Sequence, residues 1–108
     1  VNSSTRGVIG GGENDGGSEV NIIEYITIAS DGDGTDFGDL SQTRGQNAAS
    51  SSSTKGVFAG GYTGSATVNT IDQITIATTA NATDFGDLTA TRRGLFVGVV
   101  NTQHGGLS

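Results

Sequence analysis

The sequence predicts an all-β protein made of two repeated four-stranded antiparallel sheets, and three observations carry the prediction. The 108 residues include 19 glycines and 26 serines and threonines, and no stretch keeps the 3.6-residue periodicity of an amphipathic helix. The apolar segments are short and rich in β-branched residues, as is typical of strands. The chain also repeats itself about every 48 residues, a period that favours the blades of a β-propeller once paired helices are excluded by composition.

Four phrases define the repeat. A basic residue followed by Gly-Val begins at Arg6 and again at Lys55, and Ile-Thr-Ile-Ala at 26–29 returns at 74–77. Thr-Asp-Phe-Gly-Asp-Leu at 35–40 returns unchanged at 83–88, and Thr-Arg at 43–44 returns at 91–92. The offset is 49 residues for the first phrase and 48 for the others, which predicts a loop between them. The units are therefore 5–53 and 54–101, and a third begins at 102–108.

Each unit is predicted to contain four strands, named a to d. Strand a is predicted at 95–101, with a weak match at 47–51; strand b at 7–10 and 56–60; strand c at 22–29 and 71–77; strand d at 35–40 and 83–88. In the first strand c, Ile26 and Ile28 alternate with Ile23 and Tyr25, so both faces carry apolar atoms. Such a sheet is expected to pack between two neighbours.

Strand b ends in a glycine pair in both units, at Gly11-Gly12 and at Gly60-Gly61. Glycine at such a position permits a positive φ or a close backbone approach. A phosphate-binding loop is excluded, because the spacing does not match a dinucleotide fingerprint and no helix is predicted to follow. The pairs are therefore interpreted as structural.

The order of these residues resembles the kelch repeat, in which a strand ends in Gly-Gly and an aromatic residue, a Leu and an Arg follow. The aromatic position is similar to Phe37 and Phe85, where kelch repeats usually have Trp, and the Arg position is similar to Arg44 and Arg92. The Ile-Thr-Ile-Ala and Thr-Asp-Phe-Gly-Asp-Leu phrases also resemble kelch-like repeats predicted in tailed-phage genomes, notably marine ones (cyanophage-like). The resemblance implies propeller blades, and it implies that Gly11, Gly12, Gly60, Gly61, Phe37, Phe85, Arg44 and Arg92 are structural.

Composition and charge exclude several classes of function. The net charge is −6, which disfavours nucleic acid and anionic membrane surfaces as partners. The chain has no cysteine, so disulfides, thiolate metal sites and thiol catalysis are excluded, and the redox compartment cannot be inferred. No apolar run approaches the roughly 18 residues of a membrane helix, so no membrane insertion is expected.

One loop has oxygen-bearing side chains at a spacing that suits calcium. Asp31, Asp33, Thr35 and Asp39 occupy positions 1, 3, 5 and 9, and the loop resembles those of integrin-type propellers. Thr35 stands where an acid is usual, and the second unit lacks the two early acids. An Asx-turn between strands c and d is the other interpretation, and no other cofactor is expected.

No catalytic residues are predicted. The acid pairs Asp36/Asp39 and Asp84/Asp87 repeat in both units, which favours a structural cause such as a turn or pairing with Arg44 and Arg92. His104 is the only histidine, and a lone histidine cannot build a triad or a metal site by itself.

Two repeats are too few for a propeller, which usually needs four to eight blades. The chain is therefore expected to stack on copies of itself, three copies supplying six blades, or to belong to a longer polypeptide. Residues 1–54 hold eight acids and two bases, so Arg92 and Arg93 are suited to contact the acidic first unit of another copy.

The predicted function is that of a non-enzymatic structural or adhesive module of a phage virion or another extracellular assembly. It would bind other virion proteins or cell-surface glycans through the loops 12–20 and 62–69, which differ between the units. The alternative is a lectin-like propeller in which Tyr62 stacks on a sugar.

Overall fold

The structure, a computed structural model, describes residues 1–93, and this part of the chain forms seven strands in two antiparallel sheets. The first sheet contains β1 (Arg6–Gly10), β2 (Ile22–Thr27) and β3 (Thr35–Asp39). The second contains β4 (Ala48–Ser51), β5 (Lys55–Ala59), β6 (Thr70–Thr75) and β7 (Thr83–Asp87). The all-β class is confirmed. The two sheets do not close into a ring, and the predicted strand 95–101 and third unit lie outside the described residues.

The strands follow the predicted order a to d, with small differences at their ends. Strand c was predicted to continue to Ala29 and Ala77, but β2 ends at Thr27 and β6 at Thr75. The chain turns there, because the amides of Ser30 and Thr78 donate to the carbonyls of Thr27 and Thr75. The weakly matched strand a is present as β4, which lies at the edge of the second sheet.

The strands β1–β3 and β5–β7 pair with one another in the same way. Gly7 pairs with Ile26 in the first sheet, and Gly56 pairs with Ile74 in the second. Both sheets carry a β-bulge opposite the second residue of the Asp-Phe-Gly phrase, at Ile23/Glu24 and at Ile71/Asp72. A bulge recurs where the sequence recurs because the same residues impose the same local bend.

The hydrophobic core lies between the two sheets. The first unit contributes Val8, Ile23, Phe37 and Leu40, and the second contributes Phe58, Ile74 and Ile76. Ile23 is fully buried in this layer, whereas Ile26 and Ile28 lie on the opposite face of their sheet and are 41% and 53% exposed. Each sheet therefore buries one face on the other, and within residues 1–93 nothing packs over its second apolar face.

The glycine pairs adopt the left-handed backbone that was expected of them. Gly11 and Gly12 have φ of 75° and 105°, and Gly60 and Gly61 have φ of 68° and 113°. A Cβ on Gly11 would lie 2.5 Å from the carbonyl oxygen of Arg44, so the position also demands a close backbone approach. The pairs turn the chain out of β1 and β5 into the loops that follow.

Candidate functional site

The junction between the sheets is built around Arg44. Its side chain is fully buried, and it leaves the first unit to enter the second sheet. Nη1 donates to the carbonyls of Gly60 and Thr70 at 3.0 and 2.7 Å, and Nη2 donates to the carbonyl of Phe58 at 3.2 Å. These bonds satisfy carbonyl groups at the ends of β5 and β6, so Arg44 ties the two units together.

Asp72 supplies the counter-charge for Arg44. Its Oδ2 lies 2.9 Å from Arg44 Nη2, and it is fully buried as well. Asp72 also accepts bonds from the backbone amide and the hydroxyl of Ser41. Burial lowers the pKa of the Arg44 guanidinium, and the charge and hydrogen bond of Asp72 oppose that change.

Two further contacts hold the junction at its other edges. Arg6 Nη1 donates to the carbonyl of Ile76 at 3.0 Å, and its guanidinium lies 4.2 Å from the ring centre of Tyr25. At the β3 edge, the Asp39 amide donates to Asn81 Oδ1, and the Ala82 amide donates to the Asp39 carbonyl. The junction is therefore continuous from β1 to β3.

The two variable loops meet beside this junction and form one surface, here called the loop surface (12–20 and 62–69). Gly45 and Tyr62 exchange backbone hydrogen bonds of 2.9 and 2.8 Å, which anchors the second loop to the first unit. A Cβ on Gly64 would lie 3.1 Å from Oε2 of Glu19, so the side chain of one loop reaches the backbone of the other. A ligand that binds here would contact both units.

Tyr62 lies at the base of the loop surface and is half-buried. Its hydroxyl donates to the carbonyl of Gly64 at 3.1 Å, and the Arg93 guanidinium lies 4.4 Å from the centre of its ring. Arg93 thus occupies a face of the ring that a sugar would use for stacking.

The proposed calcium ligands are only partly brought together. Asp31, Asp33 and Thr35 line one shallow depression beside the end of β2. Asp39 is the last residue of β3, and its amide is bonded to Asn81. Within residues 1–93, no group of three or more acidic or histidine side chains is close enough to share a metal ion. Calcium binding stays a prediction.

The repeated acid pairs, Arg44 and His104 are the remaining candidate residues. The suggested pairing of Arg44 with the acids of its own unit is wrong, because Arg44 pairs with Asp72 of the next unit. Among residues 1–93 the only ion pair is this one, so neither Asp36 nor Asp84 has a cationic partner there. His104 lies outside the described residues.

Asp72 and Ser41 were not predicted as residues of this junction. A signal was present in the sequence, since Asp72, Ile74 and Ile76 stand at every second position, and side chains at that spacing share a face of a strand. A carboxylate on a face that is otherwise apolar requires a buried cation or hydrogen-bond donors. The sequence offers Arg44 as a candidate cation, but only the fold shows that it reaches Asp72.

Comparison with protein-family models and with curated proteins gives no match for this chain. No helix that could cross a membrane occurs in the described part of the chain.

Proposed function

We propose that this chain is a non-enzymatic, kelch-like propeller module that serves as a structural or adhesive part of a phage virion or another extracellular assembly. The main support for the proposal is that the buried charged side chains join the two sheets. Arg44 and Asp72 are the buried charged residues of the described chain, and both join one sheet to the next. Both of these buried charges thus serve the packing of one sheet on the next.

Two features support a binding role for the loop surface. The strands repeat between the units, whereas the loops 12–20 and 62–69 differ in sequence. Gly12 at the start of the first loop and Gly61 just before the second both have positive φ, so equivalent turns in the two units present loops of different sequence. The assignment to a phage particle rests on the resemblance of two short phrases to phage kelch-like repeats.

The alternative proposal, a lectin-like propeller, uses the same surface. Tyr62 provides an aromatic ring and Glu19 provides a hydrogen-bond acceptor, and both groups are common in sugar sites. The Arg93 side chain would have to leave the ring before a sugar could stack on the face that it covers. A glycan array therefore separates the alternatives, because hits that Y62A abolishes would favour the lectin.

The proposal is tested by replacing one of the two variable loops. Residues 62–69 are replaced by a Gly-Ser segment of equal length, and the labelled chain is tested for retention on a panel of bacterial cells and on a glycan array. We expect the parent chain to be retained by at least one surface and the loop variant to lose retention while circular dichroism remains unchanged. Retention that does not depend on the loop would contradict the proposal.

Activity assays provide the opposing test. Hydrolysis of a polysaccharide or ester by the chain, removed by D36N and D39N, would replace the binding role with an enzymatic one. D84N and D87N are the matched controls, because they change the same phrase in the second unit.

A further inference from the structure

The two outer faces of the chain carry the repeat counterparts of its core. The counterparts of Val8, Ile23, Phe37 and Leu40, one repeat later, are Val57, Ile71, Phe85 and Leu88. The counterparts of Phe58, Ile74 and Ile76, one repeat earlier, are Ile9, Ile26 and Ile28. Every core residue therefore has an apolar counterpart, and none of the counterparts is fully buried. Val57, Ile71 and Leu88 are half-buried, and Phe85 is 62% exposed whereas Phe37 is 3% exposed.

Arg92 is the counterpart of Arg44, and the backbone groups of the two residues have equivalent hydrogen-bond partners. The Arg44 amide donates to the Val20 carbonyl, and the Arg44 carbonyl accepts from Gly12; the Arg92 amide donates to Val68, and its carbonyl accepts from Gly61. These are equivalent partners in the two units. The backbone of Arg92 is thus held as that of Arg44 is, but the side chain of Arg92 is exposed and that of Arg44 is buried.

The counterpart of Asp72 is Glu24, which is exposed on β2 of the first sheet. Ser41, the second partner of Asp72, has Thr89 as its counterpart, so the hydroxyl donor is retained. The first outer face therefore offers the acid, and the second outer face offers the cation and the hydroxyl. The same complementarity exists inside the chain between Asp72, Arg44 and Ser41.

The sizes of facing side chains also compensate. In the junction, the ring of Phe58 packs on Gly10, where a Cβ would lie 3.0 Å from ring atoms. The counterpart of Phe58 is Ile9, which has a smaller side chain, and the counterpart of Gly10 is Ala59, which has a methyl group where Gly10 has none. On the second outer face Ala59 adds a methyl group, and on the first outer face Ile9 is smaller than phenylalanine. The total volume of the facing side chains is therefore roughly conserved, as complementary packing requires.

From these observations we propose that a second copy of this chain covers each outer face. The first sheet of one copy packs on the second sheet of another, and Arg92 enters the first sheet of its neighbour to pair with Glu24. Such head-to-tail contacts form rings when the rotation closes. A ring of four to eight sheets contains two to four copies. The inference shares with the proposed function the stacking of sheets, but it does not depend on what the loop surface binds.

The interface is tested by charge reversal in the full chain, with oligomeric state read by native mass spectrometry and sedimentation velocity. We expect the parent chain to form a discrete oligomer of two to four copies, and E24R and R92E each to be monomeric. D15R makes the same change of charge in the exposed turn of the first loop, and it should assemble as the parent does. An equimolar mixture of E24R and R92E restores one native and one reversed pair, so it should assemble again.

A glycine variant keeps the test valid if the charge variants fold poorly. A Cβ on Gly38 would collide with the backbone carbonyl of Ala80 across the junction, whereas a Cβ on Gly86 has no atom within 4 Å. G86A should therefore fold as the parent does but fail to assemble.

A parent chain that remains monomeric at its solubility limit would overturn the interface. So would a D15R chain that dissociates as fully as E24R does. The proposed function is read separately, because retention of a monomeric parent chain by cells or glycans would support the loop surface and overturn the interface. Loss of retention by an intact oligomer would show the reverse.

Discussion

At the scale of single residues, the two repeats place the same residue type at equivalent positions but in different surroundings. Arg44 is fully buried and paired with Asp72, whereas Arg92, in the same Thr-Arg phrase, is exposed. A buried ion pair adds little net stability compared with apolar residues of equal size, but loss of one partner leaves an uncompensated charge. The pair is therefore expected to specify how the sheets dock.

Removal of Arg44 tests this role. R44A leaves Asp72 buried with only Ser41 as a side-chain partner, so we expect the free energy of unfolding to fall by roughly 3–5 kcal/mol. R92A, measured at a protein concentration at which the chain is monomeric, should change it little. Urea denaturation followed by circular dichroism measures both variants. Equal losses for R44A and R92A would contradict the role assigned to Arg44.

The two phenylalanines of the repeated phrase provide a second matched pair. Phe37 is buried in the core and lies edge-on to Tyr25, with ring centres 6.1 Å apart. F37A should lower the free energy of unfolding by roughly 3–5 kcal/mol through lost burial and the cavity left behind. F85A should have a much smaller effect on the monomer, because Phe85 is 62% exposed. Thermal melts of the two variants at equal low concentration make the comparison.

The calcium prediction also belongs to single residues. Asp31 and Asp33 line the same depression, but no three-carboxylate cluster forms within residues 1–93. The Asx-turn interpretation predicts the same melting temperature in excess calcium and in EDTA. An increase in calcium that D31N and D33N abolish would establish the site and replace the Asx-turn interpretation.

At the scale of elements, the strands b, c and d were predictable because their signals are local. Alternation of apolar residues, β-branched composition and flanking glycines all occur within windows of five to eight residues. The exact ends of strand c were not predicted, because the apolar alternation continues to Ile28 and Ile76 beyond the turns that the Ser30 and Thr78 amides close. The edge strand β4 carried only a weak signal, since its Ala-Ala-Ser-Ser sequence has little β-propensity.

The end of strand d shows how one element depends on the neighbouring sheet. Gly38 in β3 has a φ of 154°, which disfavours a side chain, and a Cβ there would also collide with backbone atoms of Ala80 and Asn81. G38A should therefore destabilise the chain and separate β3 from the second sheet. G86A changes the same phrase in β7, where space is open in the monomer. Hydrogen exchange should show faster exchange near β3 for G38A, and an unchanged pattern for both variants would contradict the close contact.

At the scale of the whole molecule, the core is a layer between two sheets. Among residues 1–93, four of the seven core residues come from the first unit and three from the second, so neither unit supplies this core by itself. A single sheet with an uncovered apolar face is not expected to be stable in water. The described part of the chain should therefore unfold in one cooperative transition.

Division of the chain tests this dependence. Fragments 1–46 and 47–93 separate the two sheets, and we expect each to lack strand structure by circular dichroism. Mixing them should restore part of the signal, since the Arg44 and Phe58 contacts can re-form between fragments. Cooperative thermal unfolding of either fragment alone would contradict a shared core.

The sequence by itself determined the all-β class, the repeat, the order of the strands and the glycine turns, because these depend on local pattern and on the φ that each residue tolerates. It did not distinguish Phe37 from Phe85 or Arg44 from Arg92, since each pair stands in the same phrase. The tertiary structure decided which member is buried and which acid pairs with Arg44. The physical reason is that a side chain is buried only if a neighbouring sheet covers its face of the sheet. The sequence of one unit does not show which of its faces is covered.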